Sequence, residues 1–154
     1  MDNLENKIKG FGLALGRSTL EEVKQLYETK TILVSTKHAG LAFNLNKSYR
    51  SSISDIELLE NTRGSWARVP RDPELKYAYA TYNSIVKEVY EIRLWLPAGT
   101  QHSFFRDKKL GDVRLKNRYE FVGAIASNEI RSRYKGKLIK LDRSYGTPFQ
   151  KVGF

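Results

Sequence analysis

The run Tyr77–Trp95, YAYATYNSIVKEVYEIRLW, narrows the fold more than any other stretch of this chain. Within residues 85–95, Val86, Tyr90, Ile92 and Leu94 share one face, while Lys87, Glu91 and Arg93 share the other. Period two over that length predicts a half-buried β-strand. Tyr77–Tyr82 is aromatic-rich and predicts an antiparallel partner, joined to it through Asn83-Ser84. That turn is weaker than Asn-Gly because serine tolerates positive φ poorly. The resulting long hairpin is the expected spine of a small sheet.

The remaining segments are arranged around that spine. Residues 1–17 contain Gly10, Gly12 and Gly16 without a sustained period and read as an N-terminal arm, leaving 18–154 as a single domain. No Gly-Lys-Ser/Thr follows these glycines, so they do not make a phosphate loop. Ser18 to Glu21 fits a capping box, and Leu20, Val23 and Tyr27 recur at helical spacing, giving a helix over about 19–28. Thr31–Thr36 and Gly40–Asn46 are predicted strands that form a hairpin with His38-Ala39-Gly40 near its turn. His38 has no acidic partner or nucleophile spaced beside it and reads as a turn residue. Ser54 to Glu57 is a second capping box, opening a helix over about 55–62 that Gly64 stops.

Beyond the hairpin, Leu96-Pro-Ala-Gly-Thr100 breaks the strand, and residues 101–118 form a polar, basic loop anchored by Phe104 and Phe105. Tyr119–Ala126 is a strand in which Gly123 marks a bulge or a close backbone approach. Ser127-Asn128 caps a short helix ending at Gly136, which packs through Ile130 and Tyr134 and places Arg131 and Lys135 on another face. Leu138–Leu141 and Phe149–Val152 are closing strands separated by a turn at Gly146 and Pro148. Seven or eight short strands with three short helices imply an α+β domain. It is built on a small, curved, mostly antiparallel sheet or a partly open β-barrel, PUA- or ASCH-like by analogy of fold alone. The strands and helices do not repeat as βαβ units, which argues against a Rossmann fold.

Composition bounds the chemistry. With 154 residues and 40% hydrophobic side chains the chain can bury a core of its own. It has no cysteine, which removes disulfides, thiolate catalysis and cysteine-bound zinc, and its two histidines leave little for a histidine-rich metal site. No apolar run is long enough to span a membrane and the first residues lack a signal-peptide core. The expectation is a soluble, cytoplasmic protein without a membrane partner. The net charge of +10 is uneven. Residues 1–62 carry eight basic and eight acidic side chains, whereas residues 106–143 carry twelve against five. A basic last third is either a solubilising surface or the footprint of a polyanion, and its clustering favours phosphate-bearing ligands.

The candidate binding residues follow from that reading. Lys47, Tyr49 and Arg50, with Arg63, Gly64 and Trp66, form one wall, joined by Tyr82; Arg118, Arg131 and Lys135 form the basic side facing it. Aromatic rings would stack on bases while cations pair with phosphates. The structural alternative puts Trp66 in the core and Arg63 over the last carbonyls of its helix. Asp55, Glu57 and Glu60 lie near one another on that helix and are explained by capping and solvation. Lys87, Glu88 and Glu91 imitate a metal-dependent nuclease pattern, with Glu88 the one acidic residue on an apolar face; such a residue more often sits at a sheet edge or pairs with an arginine. No catalytic residue, metal or cofactor is assigned, and the balance leans away from an enzyme.

The run FNLNKSYR…SISDIELLENTRGSWARV…KYAYATYNSIVKEVYEIRLWLPAGT…NRYEFVGAIASNEIRSRYKGK, with NKIKGFG…GRSTLEEVKQLY at residues 6–27, resembles the C-terminal module of bacterial proteins that begin with a GIY-YIG nuclease domain. The T-R-G-x-W, E-V-Y-E-I and P-A-G-T motifs carry the resemblance together, over nearly the whole chain. No GIY…YIG pair precedes the module here, so nuclease activity is not implied; the chain is expected to be a stand-alone module. The C-terminus also departs from the family's G-x-Q-N-P-x-x-Y-V-N ending. The resemblance implies an association with nucleic-acid chemistry. The expected function is a non-enzymatic binding module for nucleic acid or a small phosphate-bearing nucleotide. Three alternatives stand beside it: a phage-type anti-defence protein sequestering a cyclic nucleotide or ADP-ribose-derived signal, a Mg²⁺-dependent nuclease or phosphodiesterase, and an inhibitor whose basic face meets an acidic protein.

Overall fold

The computed structural model describes residues 20–141 and 148–154. The N-terminal arm, the Ser18 cap, the Val23 and Tyr27 side chains and Gly146 lie outside what it describes. The helices are α1 (Leu20–Glu28), α2 (Asp55–Arg63) and α3 (Asn128–Tyr134). The strands are β1 (Thr31–Ile32), β2 (Gly40–Asn44), β3 (Trp66–Ala67), β4 (Tyr77–Tyr82), β5 (Ile85–Pro97), β6 (Arg118–Ile125), β7 (Leu138–Ile139) and β8 (Phe149–Val152). They form one α+β unit with a single mixed sheet, ordered β1-β7-β5-β4-β2-β8, in which β6 pairs β5 and β3 pairs β6. The path runs from β1 to β8 without closing. Two pairings, β1 with β7 and β2 with β4, are parallel. The other five are antiparallel.

The central hairpin forms as the sequence predicts. Tyr77 pairs Glu91 and Tyr82 pairs Ile85, and the turn places Asn83 and Ser84 at φ 49° and 65°. Positive φ at both residues is the type I′ geometry that matches strand twist. The Asn46 side-chain oxygen accepts the Asn83 amide at 2.9 Å and fastens the turn to the end of β2.

The face pattern of β5 is corrected. Ala80 pairs Glu88 but Thr81 pairs Val86, so Lys87 is an extra residue and the alternation flips there. Val86 joins Tyr79 and Val89 on one face, whereas Tyr90 and Ile92 pack on the other. A second irregularity between Ile92 and Leu94 turns Trp95 onto Phe121 and leaves Leu94 48% exposed. The reason is that this sheet has a core on each side. Leu58 of α2 lies with Phe43, Ala78, Tyr90 and Phe121 on one face, and Ile130 and Tyr134 of α3 lie with Ala42, Tyr79 and Val89 on the other. A strand buried on both faces is not bound to strict alternation.

The expected hairpin between residues 31–36 and 40–46 does not form. Only Thr31 and Ile32 are in a strand, paired in parallel with Leu138 and Ile139. Residues 36–38 make a 3₁₀ turn, with the Ser35 hydroxyl accepting the Lys37 amide. Gly40–Phe43 is buried throughout and is drawn between β4 and β8, where both of its edges are paired. His38 sits in the 3₁₀ turn, its Nδ1 2.7 Å from the Tyr134 hydroxyl.

Helix α2 begins as predicted, with the Ser54 hydroxyl accepting the Glu57 amide at 3.2 Å. The Glu57 carboxylate, however, takes a two-point ion pair with Arg50, at 3.1 and 2.6 Å. Gly64 ends the helix at φ 74°. A Cβ there would stand 2.0 Å from Trp66 Nε1, so the indole folds directly over the glycine. Gly123 meets its expectation of a close approach: a Cβ on it would lie 2.7 Å from the Phe121 ring, beside the β5 irregularity.

The loop after β5 is held differently from its sequence expectation. Phe104 and Phe105 are 73% and 53% exposed and do not anchor it. Their backbone amides do: both donate to the buried Glu60 carboxylate, at 3.0 and 3.1 Å. Buried Glu120 accepts the Gly99 amide at 2.5 Å, and the Gln101 amide and side-chain amide at 3.1 and 2.7 Å. A buried carboxylate must be matched by donors, and the loop backbone supplies them. No apolar anchor is then required.

Candidate functional site

The bulge at Lys87 builds a concavity that combines aromatic rings with cations. It turns the Lys87 side chain away from the strand's regular alternation and over two tyrosines, with Nζ 5.2 Å from the Tyr49 ring centre and 6.0 Å from that of Tyr82. Tyr49 enters from the turn after β2, where its amide donates to the Leu45 carbonyl at 2.8 Å. Tyr82 closes β4. The two rings lie 4.9 Å apart with a 34° tilt. With Arg50, Ser51, Asn83 and Glu22 of α1 they line a cleft of about 330 Å³. The Tyr82 hydroxyl donates to Glu22 at 3.2 Å.

Charge in the cleft follows from burial. Removal from water pushes the Lys87 ammonium below the ordinary lysine value, against an opposing pull from Glu22. Burial likewise pushes the Tyr49 phenol up, so the ring stays neutral. The Arg50 guanidinium remains about half exposed while paired with Glu57. The cleft therefore offers two aromatic faces beside two cations, Lys87 partly desolvated and Arg50 paired with Glu57, with the Glu22 carboxylate also in its lining.

The structure distributes the ten sequence-predicted site residues among three places. Tyr49, Arg50 and Tyr82 meet in the cleft, and Lys47 is exposed in the turn beside it. Arg63, Gly64 and Trp66 gather instead at the far end of α2. There Arg63 donates to the His102 carbonyl at 2.5 Å, and Trp66 donates to the Thr62 carbonyl at 2.9 Å while stacking on Phe43 at 4.9 Å. Arg118 donates to the Ser65 carbonyl at 3.2 Å. The expected single wall is thus divided by the length of a helix, and Trp66 spends its ring on the core.

Arg131 and Lys135 share a third task. Both bind the buried Glu88 carboxylate, Arg131 at 2.9 and 3.0 Å and Lys135 at 3.1 Å. Burial alone would push Glu88 up; hydrogen bonds from Arg131, the Val89 amide and Lys135 outweigh it and hold the carboxyl below the ordinary range. Of the two readings the sequence left for Glu88, a sheet edge or an arginine partner, the second holds, since β5 lies between β7 and β4. The nuclease-like trio is also taken apart, since Lys87 turns to the tyrosines and Glu91 lies 3.5 Å from Arg93. Among the described residues no group of three or more His, Asp or Glu side chains could hold a metal ion.

Sequence reasoning missed Glu22 as a cleft residue and gave Lys87 only a catalytic reading. No local signal reports that α1 folds against Tyr82, and the Lys87 placement depends on a bulge that alternation alone does not reveal. No helix among the described residues is long and apolar enough to cross a membrane. Comparison with protein-family models, with curated proteins and with solved structures finds no match to this chain.

Proposed function

We propose that this protein is a non-enzymatic binding module for nucleotides, free or within a nucleic-acid strand, and that the Tyr49–Tyr82 cleft is its site. The observation that carries the reading is the pair of tilted tyrosine rings with Lys87 above them and Arg50 at the side. A base stacks on such rings whatever its sequence, and the cations take the phosphate. The cleft volume falls in the range of small-molecule sites. The resemblance to the module that follows GIY-YIG nuclease domains supports an association with nucleic-acid chemistry, and we read the open sheet as PUA- or ASCH-like by analogy of architecture.

Calorimetric titration with nucleoside monophosphates and with short single-stranded DNA and RNA tests the reading. Tyr82→Ala is expected to weaken binding roughly tenfold or more, since base stacking contributes about 1–3 kcal/mol. Affinity that falls steeply with salt identifies a strand as the ligand, and a shallow dependence identifies a mononucleotide. Retention of full affinity in the Tyr49→Ala, Tyr82→Ala double variant would remove the cleft from the account.

A further inference from the structure

The basic loop between β5 and β6 plays no part in the cleft, yet it is built with unusual care. Two buried carboxylates, Glu60 and Glu120, take its backbone amides at residues 99, 101, 104 and 105. Lys108 adds a third fastening by donating to the Gly64 carbonyl. What these ties hold out to solvent is apolar: Phe104 is 73% exposed, Leu110 69% and Val113 86%. Beneath Leu110 and Val113 lies a hollow of about 360 Å³, floored by Pro97, Ala98 and Tyr119. Exposed Arg106, Lys109 and Lys116 belong to the same loop. A carboxylate-fastened loop that exposes large apolar side chains meets the description of an interaction surface rather than of a solvated connection.

We infer that this loop docks an acidic peptide segment of a partner protein, with one large apolar side chain of that segment seated in the hollow. The hollow is concave and apolar, so it is filled by a protruding side chain; a bilayer surface presents none. The hollow itself is rimmed by Leu110 and Val113, which have no π-face on which a base could stack, and the exposed Phe104 lies outside its lining, which disfavours nucleic acid as the occupant of the hollow. Arg106, Lys109 and Lys116 set the sign of the partner, which carries carboxylates beside its apolar residue. This inference stands apart from the tyrosine cleft and does not depend on it.

The test uses the whole protein, ¹⁵N-labelled, and a fluorescein-labelled twelve-residue peptide of aspartate and glutamate with a central phenylalanine. Matched probes replace the phenylalanine with serine or the acidic residues with lysine. Saturable binding is expected for the first peptide alone, with amide shifts at Leu110, Gly111, Val113 and Lys116. The Leu110→Ser, Val113→Ser variant alters only exposed side chains and is expected to keep its melting temperature while losing roughly tenfold in affinity, about 1.4 kcal/mol. Lys116→Glu is expected to weaken binding and to flatten its salt dependence. Equal binding of the serine-substituted peptide, or shifts confined to other surfaces, would overturn the inference. So would loop shifts produced by phosphatidylserine vesicles or by single-stranded DNA in place of the peptide.

Discussion

Gly64 shows how much one position can carry. Its φ of 74° and the indole folded over it leave no space for a side chain. Gly64→Ala is expected to cost roughly 1–3 kcal/mol in backbone strain, with more as Trp66 is displaced from Phe43. Urea unfolding reads the loss, and a fall in midpoint without change in slope attributes it to the folded state. Lys108 makes a second prediction at this scale. Burial, with Arg106 nearby, holds its ammonium down to about 8. The unfolded chain keeps that proton more tightly, so Lys108 opposes folding fully below pH 8, and its cost is relieved as pH rises from there toward the ordinary lysine range. Competitive acetylation followed by mass spectrometry should find Lys108 half deprotonated near pH 8, well below exposed lysines at roughly 10.4. Titration together with the other lysines would contradict this placement. Single residues such as Gly64 were legible because glycine after a capped helix has a defined backbone meaning. The environment of Lys108 was not, because it is assembled from residues 60, 63, 64, 106 and 120.

At the scale of elements, the capped helices and the β4–β5 hairpin could be read from the chain because their signals are local. Ser54 and Ser127 cap the helices assigned to them, and Asn83-Ser84 turns the hairpin. What failed was partnership: β1 and β2 look like neighbours in sequence and are separated in the sheet by β7, β5 and β4. The same blindness split the candidate site, because Tyr49 and Trp66 lie at opposite ends of α2 and no spacing rule reports that. Helix α3 provides the test of element docking. Its Arg131 and Lys135 reach the buried Glu88, so Glu88→Gln is expected to destabilise the protein by roughly 1.5–3 kcal/mol, the worth of hydrogen bonds to a charged group. The folded carboxyl is held below its unfolded value, so this stabilisation is present above the unfolded pKa and is lost as pH falls through the folded one. The wild-type protein should therefore lose more stability on acidification than the Gln variant. Equal acid sensitivity would show that the triad does not couple α3 to β5.

For the molecule as a whole, the proposed site and the fastened loop lie at opposite ends of β5, one beside its first residues and the other beyond its last. Ligand at one is expected to leave affinity at the other unchanged. A nucleotide phosphate beside Lys87 would restore the charged form that burial disfavours, so nucleotide binding should take up a proton on the alkaline side and weaken as pH rises. Calorimetry in buffers of differing ionisation enthalpy measures that uptake, and a null result would place the phosphate elsewhere.

The order of the strands also sets a clock. Thr31 meets Leu138, and Phe43 meets Phe149, each across more than a hundred residues. Such distant pairings bring a large loop-closure entropy before they return any contact energy, so the two ends of the strand order assemble late. During synthesis β2 can find β4 early, yet its other edge waits unpaired until residues 149–152 have left the ribosome. Until then the nascent chain carries a half-finished sheet whose open edge is exposed to chaperones, proteases and self-association.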